Sequence, residues 1–182
     1  MGTPKALLRD DAGMAFVTTA VSVLREGGCA AVIVVVGAEA DTVTALLDEP
    51  FNAHRIEGVT VVVAHDWDEG MGASLRAGLA AALETDAASV LVSLVDLPDV
   101  GAPVVRRMLQ VLGSDVGVLG RASYDGLAGH PVLIGRDHWV GVKAVARGDR
   151  GARDYLSGHP ATLVECGDLA TGRDVDTPDQ LP

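Results

Sequence analysis

Ser89-Val90-Leu91-Val92-Ser93-Leu94-Val95-Asp96-Leu97-Pro98-Asp99-Val100 decides the fold. A short apolar run rich in β-branched residues ends in a carboxylate, Asp96, and is stopped by Pro98. Such a run reads as a strand buried on both faces, as in a parallel sheet. Ligands of open α/β sheets bind beyond the carboxyl ends of the strands. Asp96 therefore falls where a parallel sheet does its chemistry. An acid beside a turn is suited to hold a divalent cation through oxygen. It is equally suited to cap the turn before a helix expected from about Gly101. The segment alone leaves both readings open.

Outward from this strand, apolar runs alternate with helical patterns. Helices are expected at Gly13 to Glu26, Ala40 to Leu47, Gly101 to Leu112, Asp137 to Ala146 and Ala152 to Leu156, with a last one opened by Pro178. Met71, Leu75, Leu79 and Leu83 recur every fourth residue and mark another. Strands are expected at Ala31 to Val36, Val59 to Ala64, Val90 to Val95, Val116 to Leu119, Pro131 to Ile134 and Thr162 to Glu165. Arg121 to Gly129 reads as a glycine-containing loop. This alternation predicts the α/β class: a three-layer sandwich with a doubly wound, mainly parallel, Rossmann-like sheet and helices on both faces. No repeat, low-complexity stretch or linker interrupts it, so residues 1–182 are expected to form a single domain. The chain opens on Met1-Gly2-Thr3-Pro4-Lys5-Ala6-Leu7-Leu8, with no strand before its first helical pattern. Doubly wound folds commonly begin with one.

Composition narrows the function. A length of 182 residues supports a full core, and 48% hydrophobic residues argue against disorder. The net charge of −11 argues against nucleic acid or an anionic membrane as partner. The longest apolar run, Ala30 to Val36, is too short to span a bilayer, and no signal-peptide pattern opens the chain. The expected compartment is the cytoplasm. Cys29 and Cys166 are isolated and read as reduced, buried thiols. The basic residues comprise 12 Arg and only 2 Lys, which singles out Lys5 as a compact point charge.

Several segments together resemble the molybdenum cofactor nucleotidyltransferases, the MobA-like NTP transferases. Residues 1–8 resemble the second half of that family's signature loop. Gly70-Met71-Gly72-Ala73-Ser74-Leu75-Arg76-Ala77-Gly78-Leu79 resembles its second nucleotide-contacting segment, and Val95-Asp96-Leu97-Pro98 its metal-binding strand end. Gly129-His130-Pro131-Val132-Leu133 and Gly148-Asp149-Arg150-Gly151-Ala152-Arg153 are similar to later active-site segments, and Asp174-Val175-Asp176-Thr177-Pro178 to the closing one. The segments keep the family's order from Met1 to Leu181. The form Pro4-Lys5-Ala6-Leu7-Leu8 is closer to the cytidylyltransferase branch than to the guanylyl one. The family's loop begins further upstream, with a strand and a glycine-rich turn that this sequence lacks. Asn-Pro, usual in the family, is replaced here by Ala64-His65.

The resemblance implies an enzyme that transfers a nucleoside monophosphate, CMP from CTP, to the phosphate of a molybdopterin-type acceptor and releases pyrophosphate. The product would pass to a molybdenum enzyme. GTP or another phosphorylated acceptor is the alternative within the class. Outside it stands a non-catalytic relative that binds cofactor or partner protein. An anionic phosphate is already a nucleophile, so catalysis is mostly positioning and charge neutralisation. The implied cofactor is Mg²⁺, held by Asp96 and Asp176, with Asp174 as rival to the latter; both later acids also suit a helix cap near Pro178. Lys5 would neutralise the departing phosphates and Gly2 admit them closely. Gly70, Gly72 and Ser74 would offer a helix N-terminus to the nucleotide. His130 would line the acceptor site or serve as a structural histidine. Asp149, Gly151 and Arg153 would meet the acceptor, Arg153 as a planar clamp or as a surface ion pair. Trp67 would cover a base or pack. Lys5, Ser74, Asp96, His130 and Asp176 are expected to converge on one cleft at the carboxyl edge of the sheet.

Overall fold

The computed structural model describes residues 4–10, 12–48 and 58–175. Six helices and six strands alternate within them, as the α/β reading requires. The helices are α1 (Phe16–Glu26), α2 (Ala40–Asp48), α3 (Met71–Leu83), α4 (Ala102–Leu112), α5 (Arg136–Val145) and α6 (Arg153–Gly158). The strands are β1 (Val32–Val36), β2 (Val59–Val63), β3 (Ser89–Val92), β4 (Leu119–Tyr124), β5 (Leu127–Gly135) and β6 (Thr162–Glu165). Among the described residues no strand precedes α1, and the helix expected at Pro178 lies outside them.

β1 and β2 pair in parallel. The other strands form a sheet in the order β3-β5-β4-β6. β5 runs antiparallel to both of its neighbours while β4 and β6 are parallel, so three of these four strands point the same way. β1 and β3 share no ladder. A cavity of about 350 Å³ lies between β1 and the chain leaving β3, lined by Val34, Val35 and Val36 on one side and Val95 on the other. α1 and α3 cover opposite faces of β1: Val34 and Val36 pack with Ala15 and Val17 of the α1 end, and Ile33 packs with Leu79 of α3.

Alternation along the strands divides the larger core. Ala122, Tyr124 and Leu133 face α4, meeting Val104 and Met108. Leu119, Val132 and Ile134 face the opposite layer, where Leu79 of α3 and Trp139 and Val142 of α5 are buried. Trp139 is fully buried, and its indole N–H donates to the Ile134 carbonyl at 2.9 Å. Helices thus cover both faces of the sheet.

The largest correction falls on residues 116–135. The strand expected at Val116 to Leu119 begins only at Leu119, and the expected loop Arg121 to Gly129 is a β-hairpin. Tyr124 pairs with Leu127 across a two-residue turn, Asp125-Gly126, with φ values of 51° and 79°. Positive φ at both central residues is the type I′ requirement, which Asp-Gly meets. The Glu165 carboxylate seats this turn. It accepts the Asp125 amide at 2.9 Å, the Gly126 amide at 3.1 Å, the Gly167 amide at 2.9 Å and the Ser123 hydroxyl at 2.8 Å.

Those bonds hold the Glu165 carboxyl below its ordinary value of 4.5, the Ser123 hydroxyl most strongly and the Gly167 and Gly126 amides next. A depressed carboxyl contributes stability above its unfolded value and loses it as the pH falls through the folded one. Glu165→Gln is expected to lower stability at neutral pH and to flatten its decline below about pH 4.5. Urea denaturation of both proteins across that range measures the difference; parallel curves would show that Glu165 does not hold the turn.

Candidate functional site

Asp96 lies just past the end of β3. The ladder stops at the pair Val92–Val132, because the next β5 residue, Pro131, has no amide to donate. Residues 93–96 then leave the sheet, three positions earlier than the apolar pattern suggests. Leu97 and Val100 are buried and anchor the turn from within. The Asp96 carbonyl accepts the Val175 amide at 2.9 Å. The closing segment is thereby tied beside the strand end, with Asp174 exposed next to it. Asp176 lies outside the described residues, as does Gly2.

Lys5 reaches Asp96 across 91 residues: Nζ stands 2.7 Å from Oδ2. The carboxylate side chain is only 14% exposed and the lysine 35%. Lys5 is presented by a 3₁₀ turn, Lys5–Leu7, in which the Leu7 amide bonds to the Pro4 carbonyl at 2.9 Å. Ala6 and Leu7 pack on the cluster of Ala15, Val17, Val36 and Val43. The Phe16 amide donates to the Leu8 carbonyl at 2.8 Å, which fixes this arm to the start of α1.

Lys5 lines the 350 Å³ cavity together with Gly70, Met71 and Ser74 from the start of α3 and with Trp67. Gly70 precedes α3 at φ 108°, ψ −174°, and no side chain caps the helix. Its first amides are therefore open to an anion. A Cβ at Gly70 would stand 2.6 Å from Asp149 Oδ1 and 2.7 Å from the Gly148 carbonyl carbon. Only glycine admits the 148–150 turn so close to the helix. Gly72 is buried against the Arg147 backbone and serves that same contact; it does not line the cavity. Gly151 sits against Met71.

His130 stands within the field of Asp96. In the β4–β5 ladder Arg121 pairs with Val132 and Ser123 with Ala128, so Ala122 faces Gly129, His130 and Pro131 together. Bulges of this kind re-aim side chains. Tyr124 donates its hydroxyl to the His130 carbonyl at 2.7 Å, and Arg121 Nε donates to the Gly129 carbonyl at 3.3 Å. Burial lowers the His130 pKa, and the nearby Arg121 lowers it further, while Asp96 opposes both. The histidine thus lies in the field of both the arginine and the carboxylate. Arg153 opens α6, is exposed, and acts on Arg121 as a like charge.

The structure accordingly brings Lys5, Gly70, Ser74 and Asp96 together, with His130 adjoining and Asp149 and Gly151 against the start of α3. The residue reading missed two arginines. Arg121 falls in the segment expected as a loop, where nothing in the local pattern marks its strand position. Arg76 is the other: it joins Glu69 at 2.7 Å and the Ala146 carbonyl at 2.9 Å, and so ties the Trp67–Glu69 turn to the end of α5. Its place on α3, outside the apolar stripe, was the available signal.

The family profile described as MobA-like NTP transferase domain matches residues 1–163. The chain belongs to the MobA-like NTP transferase family. It is 36% identical to the nicotine blue oxidoreductase of Paenarthrobacter nicotinovorans over 187 residues, which cover 98% of this chain and 86% of that protein. The crystal structure of Rv0371c from Mycobacterium tuberculosis H37Rv is similar at 28% identity and a TM-score of 0.74, over 98% of this chain and 87% of that one. The structure of Rv0371c in complex with manganese is similar at 27% identity and a TM-score of 0.70, over 98% and 89% of the two chains. Family membership and fold mark the chain as a nucleotidyltransferase domain. Among the described residues no helix is long and apolar enough to cross a membrane.

Gly70→Ala tests the contact between α3 and the 148–150 turn. Its φ of 108° with ψ −174° is an essentially glycine-only backbone that costs about 1–3 kcal/mol for alanine, before the clash with Asp149. The expected result is a loss of stability of at least that size, with faster amide exchange at residues 148–151. Unchanged exchange there would show that the turn does not depend on the close approach.

Proposed function

We propose that this protein is a divalent-metal-dependent cytidylyltransferase that makes a dinucleotide form of a molybdopterin-type cofactor. The observation that carries the reading is the Lys5–Asp96 pair at 2.7 Å beside a cavity whose other wall is the uncapped start of α3. A cation, a carboxylate and a helix N-terminus are what a triphosphate and its metal require.

An oxygen of the acceptor's phosphate attacks the α-phosphorus of CTP. The bond from that phosphorus to the bridging oxygen of the β-phosphate breaks, and pyrophosphate leaves. Lys5 offsets the charge of the departing group. The amides at the start of α3 and the Ser74 hydroxyl receive triphosphate oxygens. Trp67, 38% exposed on the cavity wall, offers an apolar face to the base. His130 and Arg153 stand toward the acceptor. Asp149 and Gly151 support that side through their contact with α3.

Asp96 fits a hard divalent cation: it offers a largely buried carboxylate just past a strand end, and Mg²⁺ commonly takes one or two carboxylates with water and substrate phosphate. Among the described residues no group of three potential ligands forms a closed cage. Asp176, or Asp174, supplies the second oxygen in this reading. When bound, Mg²⁺ contributes charge neutralisation at the phosphates. The complex of Rv0371c with manganese supports this view. The form Pro4-Lys5-Ala6-Leu7-Leu8 supports CTP over GTP, and the setting is the cytoplasm, with a molybdenum enzyme as recipient of the product.

Calorimetric titration with Mg²⁺·CTP and then Mg²⁺·GTP tests the reading. Metal-dependent binding of CTP in preference to GTP is expected. Asp96→Asn should lower pyrophosphate release by at least about 10³-fold while the melting temperature is kept. Binding of neither nucleotide, or an Asp96→Asn protein as active as the wild type, refutes it. A second reading comes from the 36% identity to a protein named an oxidoreductase. Redox chemistry needs an electron carrier, so NADPH in the same titration separates the two: binding of NADPH without CTP favours the redox reading.

A further inference from the structure

The turn that carries Trp67 has little anchorage of its own. It is a three-residue 3₁₀ turn, Trp67–Glu69, with no capping side chain and no buried residue. A short 3₁₀ turn has poor hydrogen-bond geometry, and a segment without buried contacts opens readily. The root of the indole lies on the bare Cα of Gly37, just past β1. A Cβ there would stand 2.5 Å from Trp67 Cβ and 2.7 Å from its Cγ. A bare Cα makes room for the ring but gives it little surface to pack on.

Arg76 supplies the hold from α3. Its Nη2 donates to Glu69 Oε2 at 2.7 Å and stands 3.4 Å from Asp66 Oδ2, so it grips the turn on both sides of Trp67. Its Nη1 donates to the Ala146 carbonyl at 2.9 Å. That end is fixed. Ala146 is fully buried directly after α5. The next residues lie close against the head of α3: a Cβ at Gly72 would stand 2.7 Å from Arg147 N, and one at Gly70 would stand 2.6 Å from Asp149 Oδ1. Arg76 is itself well placed to hold, because Leu75 and Leu79 of the same helix pack in the core. Its side chain is 21% exposed, whereas Asp66 and Glu69 are 62% and 55% exposed. Exposed ion pairs are individually weak. Here one planar fork joins a fixed carbonyl to a loosely held turn, which a single ion pair does not do.

We propose that Arg76 is a positioning residue: it holds Trp67 as one wall of the cavity beside Lys5 and so sets the affinity for the ligand that enters there. Trp67 lines that cavity with Lys5, Gly70 and Ser74, and Arg76 does not, so it acts through the tryptophan. Resting on the nucleotidyltransferase reading, the ligand is the nucleotide, with its base on the indole. A wall that must be ordered at each binding event lowers affinity by the entropy of ordering it. Arg76 orders this one beforehand.

The chain has two tryptophans, and the other, Trp139, is fully buried, so acrylamide quenching of the intrinsic fluorescence reports Trp67. Trp67→Phe assigns the signal. Arg76→Met keeps the length of the side chain and removes the fork. It should raise the quenching of Trp67 and weaken Mg²⁺·CTP binding about tenfold, the worth of a charged hydrogen bond. Arg76→Lys should restore only part of both, since an ammonium lacks the fork. Glu69→Gln, at an exposed position, loosens the grip on the turn alone and should move both readouts the same way, even if Arg76→Met fails to fold. The melting temperature of each variant reports folding. Equal quenching in the wild type and the folded variants overturns the proposal. So does a loosened Trp67 with CTP affinity unchanged. A wild type that binds no CTP refutes the nucleotidyltransferase reading; raised quenching in the variants then still upholds Arg76 as the holder of Trp67, and equal quenching removes it.

Discussion

The reversal at Asp125-Gly126 is the constraint on which the site depends. Two residues with positive φ allow β4 to turn directly into β5. β5 then runs between β3 and β4, against the direction of both. One consequence is structural: β5 carries Val132, Leu133 and Ile134 through the middle of the larger core, with successive side chains on opposite faces. The other is chemical. A strand running backwards between two forward ones brings its own first half to the carboxyl ends of its neighbours. The bulge at Gly129-His130-Pro131 therefore arrives beside the end of β3, where Asp96 stands. Had the connection been a crossover helix, His130 would face the opposite edge of the sheet.

Charge is distributed across the site in the same economical way. The chain is strongly acidic, and a long-range field of −11 repels phosphates. Local cations overcome it only where solvent screening is weak. Lys5 and Arg121 are each partly withdrawn from solvent, Lys5 in an ion pair and Arg121 on the backbone. Lys5 meets the recessed Asp96, and Arg121 meets a backbone carbonyl. The exposed Arg150 is tied to the neighbouring Asp154 and adds little to the field at the cleft.

Much of this was legible in the residues. The run ending at Asp96 marked a strand end, the fourfold spacing of Met71, Leu75, Leu79 and Leu83 marked α3 to the residue, and Lys5 stood out in an arginine-rich chain. The hairpin was not read, because Gly120, Arg121 and Ser123 interrupt the apolar alternation that identifies a strand. Ala122 and Tyr124 do alternate inward, and Asp-Gly between them and Leu127 was the local signal. Arg121 was lost with the strand: a cation in a presumed loop has no address. Gly72 was read as facing a ligand because glycine near a helix start suits both phosphate and close packing. Only the position of Arg147 separates the two. Contacts between distant segments, such as residue 175 on residue 96, have no trace in local pattern.

The glycines and the arginines of this site solve one problem from two ends. A phosphate-handling cleft needs donors that approach closely, and it needs positive charge that is not cancelled internally. Backbone amides at the head of α3 meet the first need, and the bare Cα of Gly70 lets the 148–150 turn pack against that helix start. Side-chain cations satisfy the second where the fold orients them, as the 3₁₀ turn orients Lys5 toward Asp96. The bulge does this for Arg121 by accepting a bond at Nε and leaving the outer nitrogens of the fork uncommitted. The same bulge fixes His130 through the Tyr124 hydroxyl. One irregularity in the β4–β5 ladder thereby positions both Arg121 and His130.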